Sequence, residues 1–353
     1  MSDEHTYKLI YSNARGCAEH IRYIFAYTGI EYTDERIPEE LWPEYKDSMP
    51  YKKLPVLEID GKPVAQSNAV ARYLARKYDL MGKNEWDAMI CDVLVDTLGD
   101  LKQAICYYRM EENPEKKEAR KNQLLNETIP FYLTKFDQII GENEGYIIPS
   151  TVRFFIIDLL PSYGIGRTNP FFFSYASIPF EDERIKKDVW PEIKPLTPYG
   201  LLPMLVADRR KVAQSTAICR YLAKQYDLTG KTDWANLHID ATVDTIHDIR
   251  HKIAAFHYEE DEKVKAAKRK AAEETLPFIL ERLDQQVKEN DGYFYDGTLS
   301  CADLTFVALL DYLNFMYKSD LIENYENLKL LEKKVLLLPK IKNWIERRPI
   351  SEF

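Results

Sequence analysis

The sequence predicts an α/β layer followed by an all-α domain, the pair present twice and the first all-α domain cut short. Three observations carry this. The chain has 353 residues with 45% hydrophobic content, enough for two or more packed cores and too much for global disorder. Short strand-like runs occupy the first 66 residues, whereas positions 84–141 show only helical periodicity. Finally, PVLEIDGKPVAQSNAVARYLARKYDLMGK at 55–83 returns as PMLVADRRKVAQSTAICRYLAKQYDLTGK at 203–231, an offset of 148 positions without a gap.

Each element of the first block has its own signal. YKLIY at 7–11 reads as a strand, and 16–29 as a helix with Ile21, Ile24 and Phe25 at helical spacing. EYTDERI at 31–37 reads as a second strand. PVLEID (55–60) and KPVAQ (62–66) flank Asp60-Gly61, a hairpin turn pair. Ser67 starts a helix over 67–78 whose Ala69, Val70, Tyr73 and Leu74 share one face. The helical stretch from 84 to 141 is broken at Asn113-Pro114.

The repeat extends beyond its longest match. WPEYK (42–46) recurs as WPEIK (190–194), and VDTLGD (95–100) as VDTIHD (243–248), at the same offset. ENEGY (142–146) and ENDGY (289–293) differ by 147, so a one-residue indel lies between. Only the second copy continues through SCADLTFVALLDYLNFMYK, a run opened by a capping-box-like Ser300…Asp303. The reading is therefore four segments: 1–83 α/β, 84–148 truncated helical, 149–231 α/β, and 232–353 full helical. Missing helices leave an apolar face on the first helical segment. We expect either an internal pseudo-dimer, in which copy two covers it, or a homodimer.

Composition narrows the function classes. With 48 Lys+Arg against 57 Asp+Glu, a net charge of −9 argues against a nucleic-acid partner. Charges or prolines interrupt every apolar run before the roughly 18 residues a membrane span needs. MSDEHTYKLI does not read as a signal peptide. Five cysteines (17, 91, 106, 219 and 301), widely spaced and without CxxC, suggest a reduced cytoplasmic chain. In that setting the Asn126-Glu127-Thr128 glycosylation match carries no meaning.

The segments YKLIYSNARGCAEHIRYIFAYTGIEYTDERI, LWPEYK, KKLPVLEIDG, AQSNAVARYLARKYDL and VDTLGD together resemble the cytosolic glutathione transferases, closest to the sigma class that includes glutathione-dependent prostaglandin D synthase. The resemblance implies a thioredoxin-like α/β domain, a helical-bundle domain, and glutathione as co-substrate. Tyr11 matches the thiol-activating tyrosine: a thiol of ordinary pKa near ~8.5 needs a donor to its anion at neutral pH. Arg15 matches an arginine found near the sulfur. Trp42, Lys46 and Lys53 match positions that hold the glycine end. Leu54-Pro55 matches a cis-proline turn that pairs with the cysteinyl portion. Gln66 and Ser67 open a helix whose N-terminus suits a carboxylate. Asp100 matches a residue that reaches the γ-glutamyl amine across the dimer interface. An electrophile pocket is implied between Tyr11 and the helix bearing Tyr107 and Tyr108. Cys17 stands where that class commonly has arginine.

In the second copy Trp190, Lys194, Leu202, Pro203, Gln214, Ser215 and Asp248 remain, and Leu201 replaces the lysine matching Lys53. Ungapped, Leu159 falls at the place of Tyr11. A four-residue slip would instead pair Tyr163 and Arg167 with Tyr11 and Arg15. The ungapped reading makes copy two a site that binds without activating. A non-catalytic binder of crystallin type is the alternative for the chain as a whole. Gly164-Ile165-Gly166 lacks the third glycine of a dinucleotide motif, and His247-Asp248-Ile249-Arg250-His251 lacks both the glutamate and a third ligand of a zinc site. No metal is assigned. The basic run at 263–270 reads as a solvated helix face.

Overall fold

A computed structural model describes residues 5–142, 155–159, 168–178, 180, 182–185, 188–207 and 210–348. Along the chain these form β1 (Tyr7–Ser12), α1 (Glu19–Thr28), β2 (Thr33–Ile37), α2 (Trp42–Tyr45), β3 (Val56–Ile59), β4 (Lys62–Ala65) and α3 (Ser67–Lys77). Three helices follow, α4 (Glu85–Met110), α5 (Pro114–Gln123) and α6 (Ile129–Glu142). The second copy gives β5 (Phe155–Leu159), α7 (Thr168–Ala176), β6 (Asp182–Arg184), α8 (Trp190–Ile193), β7 (Met204–Ala207), β8 (Arg210–Ala213) and α9 (Ser215–Gln225). It ends in α10 (Asp233–His257), α11 (Glu262–Glu289), α12 (Cys301–Tyr317), α13 (Glu326–Leu336) and α14 (Pro339–Arg347).

Local chemistry sets the boundaries. Asn84, Asn113 and Asp261 each cap a helix by accepting two backbone N–H bonds, at α4, α5 and α11. Gly29 ends α1 with a φ of 68°, a left-handed C-cap. At α12 the Asp303 carboxylate takes the backbone N–H and the hydroxyl of Ser300, both at 2.7 Å, and the Phe294 N–H at 2.9 Å. That closes the expected capping box. The one-residue indel also has a location. Between α5 and α6, Leu124–Thr128 forms a π turn, whereas α11 runs unbroken. A π turn absorbs one added residue without ending the helix.

Two four-stranded mixed sheets result, ordered β2-β1-β3-β4 and β6-β5-β7-β8. Their registers correspond residue for residue at the 148 offset. Tyr11 pairs with Arg36 and Leu159 with Arg184; Ile10 pairs with Val56 and Asp158 with Met204. Each sheet is the strand–helix–strand–hairpin layer of a thioredoxin-like domain, and the helices form the bundle domain.

The chain divides into two compact units, and each is assembled from both copies. One joins the residues up to Leu80 to Tyr226–Glu346; the other holds Met81–Gln225. In the first unit Leu9, Phe25, Leu57, Val70 and Leu74 share a buried core with Leu237 and Ala241 of α10. The α/β layer of copy one thus packs on the helices of copy two. In the second unit α4, from copy one, packs on α9 of copy two. One expectation is corrected here. Within the second unit the described residues of copy two leave the face of the missing helices open: Val95, Leu98, Ile105, Leu133 and Ile140 are exposed. The helices of copy one that pack inside the second unit present a different face to α9. Among the described residues no helix is long and apolar enough to cross a membrane.

Candidate functional site

Tyr11 lies near the end of β1, half-buried, where the strand enters the turn before α1. Its hydroxyl accepts a hydrogen bond from the Cys17 backbone N–H at 3.2 Å. The turn passes so close that a Cβ on Gly16 would stand 2.6 Å from the Tyr11 oxygen, and Gly16 has a φ of +44°. Glycine is required there on both counts. Arg15 is exposed on the same turn. The Leu54-Pro55 peptide is cis, ahead of β3. Trp42, half-buried, starts α2, and Lys46 follows it in an exposed turn.

Gln66 and Ser67 stand half-buried at the start of α3, where the first backbone N–H groups have no intrahelical acceptor and the helix dipole has its positive end. Gln66 adopts a φ of 75°, and its amide donates to Asp248 Oδ2 at 2.9 Å and to Thr245 Oγ1 at 3.1 Å. Lys53 Nζ reaches the same Asp248 oxygen at 2.5 Å. Below them Arg72 pairs with Asp244 at 3.5 Å and Arg76 with Asp240 at 2.8 Å. Asp240, Asp244 and Asp248 follow one face of α10 at four-residue spacing, matching α3 side by side. Burial and the neighbouring Arg250 push His251 down to about 4, and burial also lowers Lys252. Asp248 thus has Lys53 in direct contact and Lys252 within electrostatic reach.

The second unit repeats the arrangement with the copies exchanged. Gln214, also at a φ of 75°, donates to Asp100 Oδ2 at 2.6 Å and to Thr97 Oγ1 at 3.3 Å. Arg220 approaches Asp96 at 3.7 Å, and Lys224 pairs with Glu85 at 2.6 Å. Ser215 starts α9, buried; the Leu202-Pro203 peptide is cis; Trp190 starts α8 and Lys194 follows it, exposed. Tyr132 beside Asp100 is pushed up to about 12, by burial first and then by that carboxylate. Thus Asp248 of copy two serves the Gln66 of copy one, and Asp100 of copy one serves the Gln214 of copy two.

The register of β5 bears on the tyrosine. Leu159 occupies the ladder position of Tyr11, so the sheet follows the ungapped alignment and not the four-residue slip. Tyr163 and Arg167 lie outside the described residues. Tyr107 and Tyr108 lie on α4, in the unit that does not contain Tyr11.

Sequence reasoning missed Thr97 and Thr245, although each stands three residues before its aspartate inside the repeated VDT motif. It also missed Tyr51. That side chain, like Leu54, packs against the core of Ile10, Ile37, Val56 and Ala65, and burial raises its pKa, partly offset by a hydrogen bond to Thr245. Next to it Lys52 lies 4.7 Å from the centroid of the Phe278 ring on α11. The counterpart of Tyr51, Tyr199, is buried and pushed up to about 12. Only the packing of helices from the other copy reveals these partners. Among the described residues no cluster of three or more His, Cys, Asp or Glu is arranged to hold a metal ion.

Comparison with known proteins gives consistent matches. The family description "Glutathione S-transferase, N-terminal domain" matches residues 7–76 and again 171–225. "Glutathione S-transferase, C-terminal domain" matches 247–348. A glutathione S-transferase of Anopheles gambiae is 44% identical over 189 residues, covering 53% of this chain and 93% of the relative. The hematopoietic prostaglandin D synthase of Rattus norvegicus is 45% identical over 141 residues, 40% of this chain and 70% of the relative. The solved prostaglandin synthase D of Nilaparvata lugens superposes with a TM-score of 0.54 at 39% identity, covering 56% of this chain and all of that one. These relatives account for 40–56% of the present chain.

Proposed function

Because the chain belongs to the glutathione S-transferases, an enzyme family, we propose that its Tyr11 site binds glutathione and activates the thiol for attack on small electrophilic molecules. One observation carries this reading. The Tyr11 oxygen already accepts the Cys17 N–H, so its own proton is left to donate outward. A hydroxyl polarised in this way stabilises a thiolate beside it. The sulfur loses its proton to solvent, the thiolate forms a C–S bond with the electrophile, and the leaving group departs with the bonding pair.

The other residues position the tripeptide, which itself lowers the barrier. The γ-glutamyl carboxylate meets the α3 N-terminus at Gln66 and Ser67, and its ammonium group takes the Asp248 carboxylate that Lys53 now occupies. The Leu54 backbone, turned by Pro55, pairs with the cysteinyl unit; Trp42, Lys46 and Lys53 hold the glycine carboxylate. Arg15 stands beside the sulfur. The resemblance implies that such an aspartate is supplied by a second subunit; in this reading one chain supplies both parts. The four-segment division at 83, 148 and 231 belongs to this proposal, as do a cytoplasmic setting, a detoxifying role and the isomerase or peroxidase side activities.

The second copy is read as a glutathione-binding site without activation, from Trp190, Lys194, Leu202, Pro203, Gln214, Ser215 and Asp100. Leucine at the Tyr11 ladder position favours this. The test is conjugation of a generic electrophile by wild type and Tyr11→Phe, with retention on glutathione resin measured in parallel. The expected result is a fall in kcat/KM of about 10²-fold with retention kept. Undiminished turnover by the phenylalanine variant would contradict the assignment.

A further inference from the structure

The two sites of the chain agree at one end and differ at the other. Gln66 and Gln214 share a φ of 75°, and each donates to a Thr–Asp pair on a helix of the other copy. A cis Leu-Pro peptide stands before each hairpin, and a serine opens each following helix. The corner ahead of the cis peptide is also built alike. Lys52 lies over the Phe278 ring, and at its counterpart Gly200 a Cβ would stand 3.4 Å from Phe131, the counterpart of Phe278. The backbone and the glutamyl end therefore match, but the charges do not. Asp248 has Lys53 in contact and Lys252 within reach. At the 148 offset the counterparts of these lysines are Leu201, half-buried, and Ala104. Glycine in place of Lys52 removes a third cation from the corner. Lys102 keeps the charge of Arg250, and Lys194, which lies along Gly200, keeps that of Lys46.

We propose that the copy-two site selects γ-glutamyl compounds whose far end is uncharged, an ester or an amide, over glutathione itself, with Leu201 as the residue that discriminates. This rests on the reading of copy two as a binding site. At neutral pH glutathione carries two carboxylates and one ammonium group, so it is a net anion. Three more cations give the first site a field suited to that anion, whereas the second is suited to a zwitterion. A carboxylate taken from water needs a cation or several donors to offset its desolvation, and a leucine supplies neither. The same leucine offers apolar area to the alkyl group of an ester or amide. Lys194, exposed to solvent, still supplies one cation, so glutathione binds there less tightly and is not excluded. Nothing at the glutamyl end opposes this choice, because Gln214, Thr97 and Asp100 repeat the first site.

Isothermal titration calorimetry of the full chain tests this, with glutathione and its glycyl ethyl ester as probes. The background is Asp248→Ala, which weakens the copy-one site. In that chain the ester is expected to bind at one site at least as tightly as glutathione. Adding Leu201→Lys is expected to move the ratio of the two affinities about tenfold towards glutathione, the worth of one charged contact. Copy one carries lysine at this position on the same backbone, so the variant folds, and circular dichroism verifies it. Adding Asp100→Ala instead is expected to abolish the binding of both probes. A preference for glutathione before Leu201→Lys is added, or a ratio that this change leaves alone, overturns the proposal while copy two remains a binding site. Binding of neither probe, or binding that survives Asp100→Ala, overturns the proposal together with the reading of copy two on which it rests.

Discussion

Gln66 and Gln214 hold a left-handed backbone with full side chains, a conformation that costs about 1 kcal/mol or more at a non-glycine residue. At both positions this geometry goes with an amide aimed at a Thr–Asp pair on a neighbouring helix. The motif residues were legible because they recur: Gln-Ser follows each hairpin, and VDT precedes each aspartate. The resemblance sends Asp100 across a dimer interface; what was not legible is that it meets Gln214 inside one compact unit, which only tertiary packing shows. The exchange predicts unequal kinetics. Asp248→Ala removes the partner of Lys53 and Gln66, and is expected to raise the KM for glutathione by roughly tenfold with kcat little changed. Asp100→Ala is expected to leave that KM as it is. Steady-state kinetics with glutathione as the varied substrate reads both, and an equal rise in the two variants counts against the pairing.

At the scale of elements, strands and hairpin followed from alternation and from Asp60-Gly61, and the helix break at Asn113-Pro114 falls where the pattern placed it. The π turn was hidden. One extra residue between Asn113 and Pro130, relative to Asp261 and Pro277, is visible as arithmetic, but whether it bulges in a helix or lengthens a loop depends on packing. Helix α10 also carries a pH dependence. His251 titrates at about 4 when folded against 6.5 unfolded, because burial and Arg250 disfavour its charge. The unfolded chain takes up the proton first, so the contribution is present above pH 6.5 and lost as pH falls towards 4, up to about 3 kcal/mol. Asp303, pushed up to about 6 by burial, works in the opposite sense over the same range. Thermal melts at pH 7 and pH 4.5 are therefore best compared between wild type and His251→Gln. The variant is expected to lose less stability on acidification, and an identical loss would refute the role of His251.

For the whole molecule, repetition was legible and its spatial outcome was not. Matching segments 148 residues apart suggested two similar bodies in series, whereas each compact unit draws on both copies. The helices of copy one are too few to complete a bundle, so local content could not settle where the α/β layers pack. Deleting one repeat, residues 83–230, joins Gly82 to Lys231; of the Tyr11 unit it removes only YDLTG at 226–230, which YDLMG at 78–82 replaces. We expect this shortened chain to fold cooperatively and to bind glutathione resin. Circular dichroism and resin retention check it, and an unfolded product would mean that the intervening unit is required for the fold.

The pairing of the first α/β layer with α10 also sets an order of events during synthesis. Leu9, Phe25 and Leu74 share their core with Leu237 and Ala241, which leave the ribosome more than 150 residues later. At 5–20 residues per second that interval is roughly ten seconds or longer. Throughout it the nascent layer holds an uncovered apolar side, which is open to aggregation until the closing helix emerges.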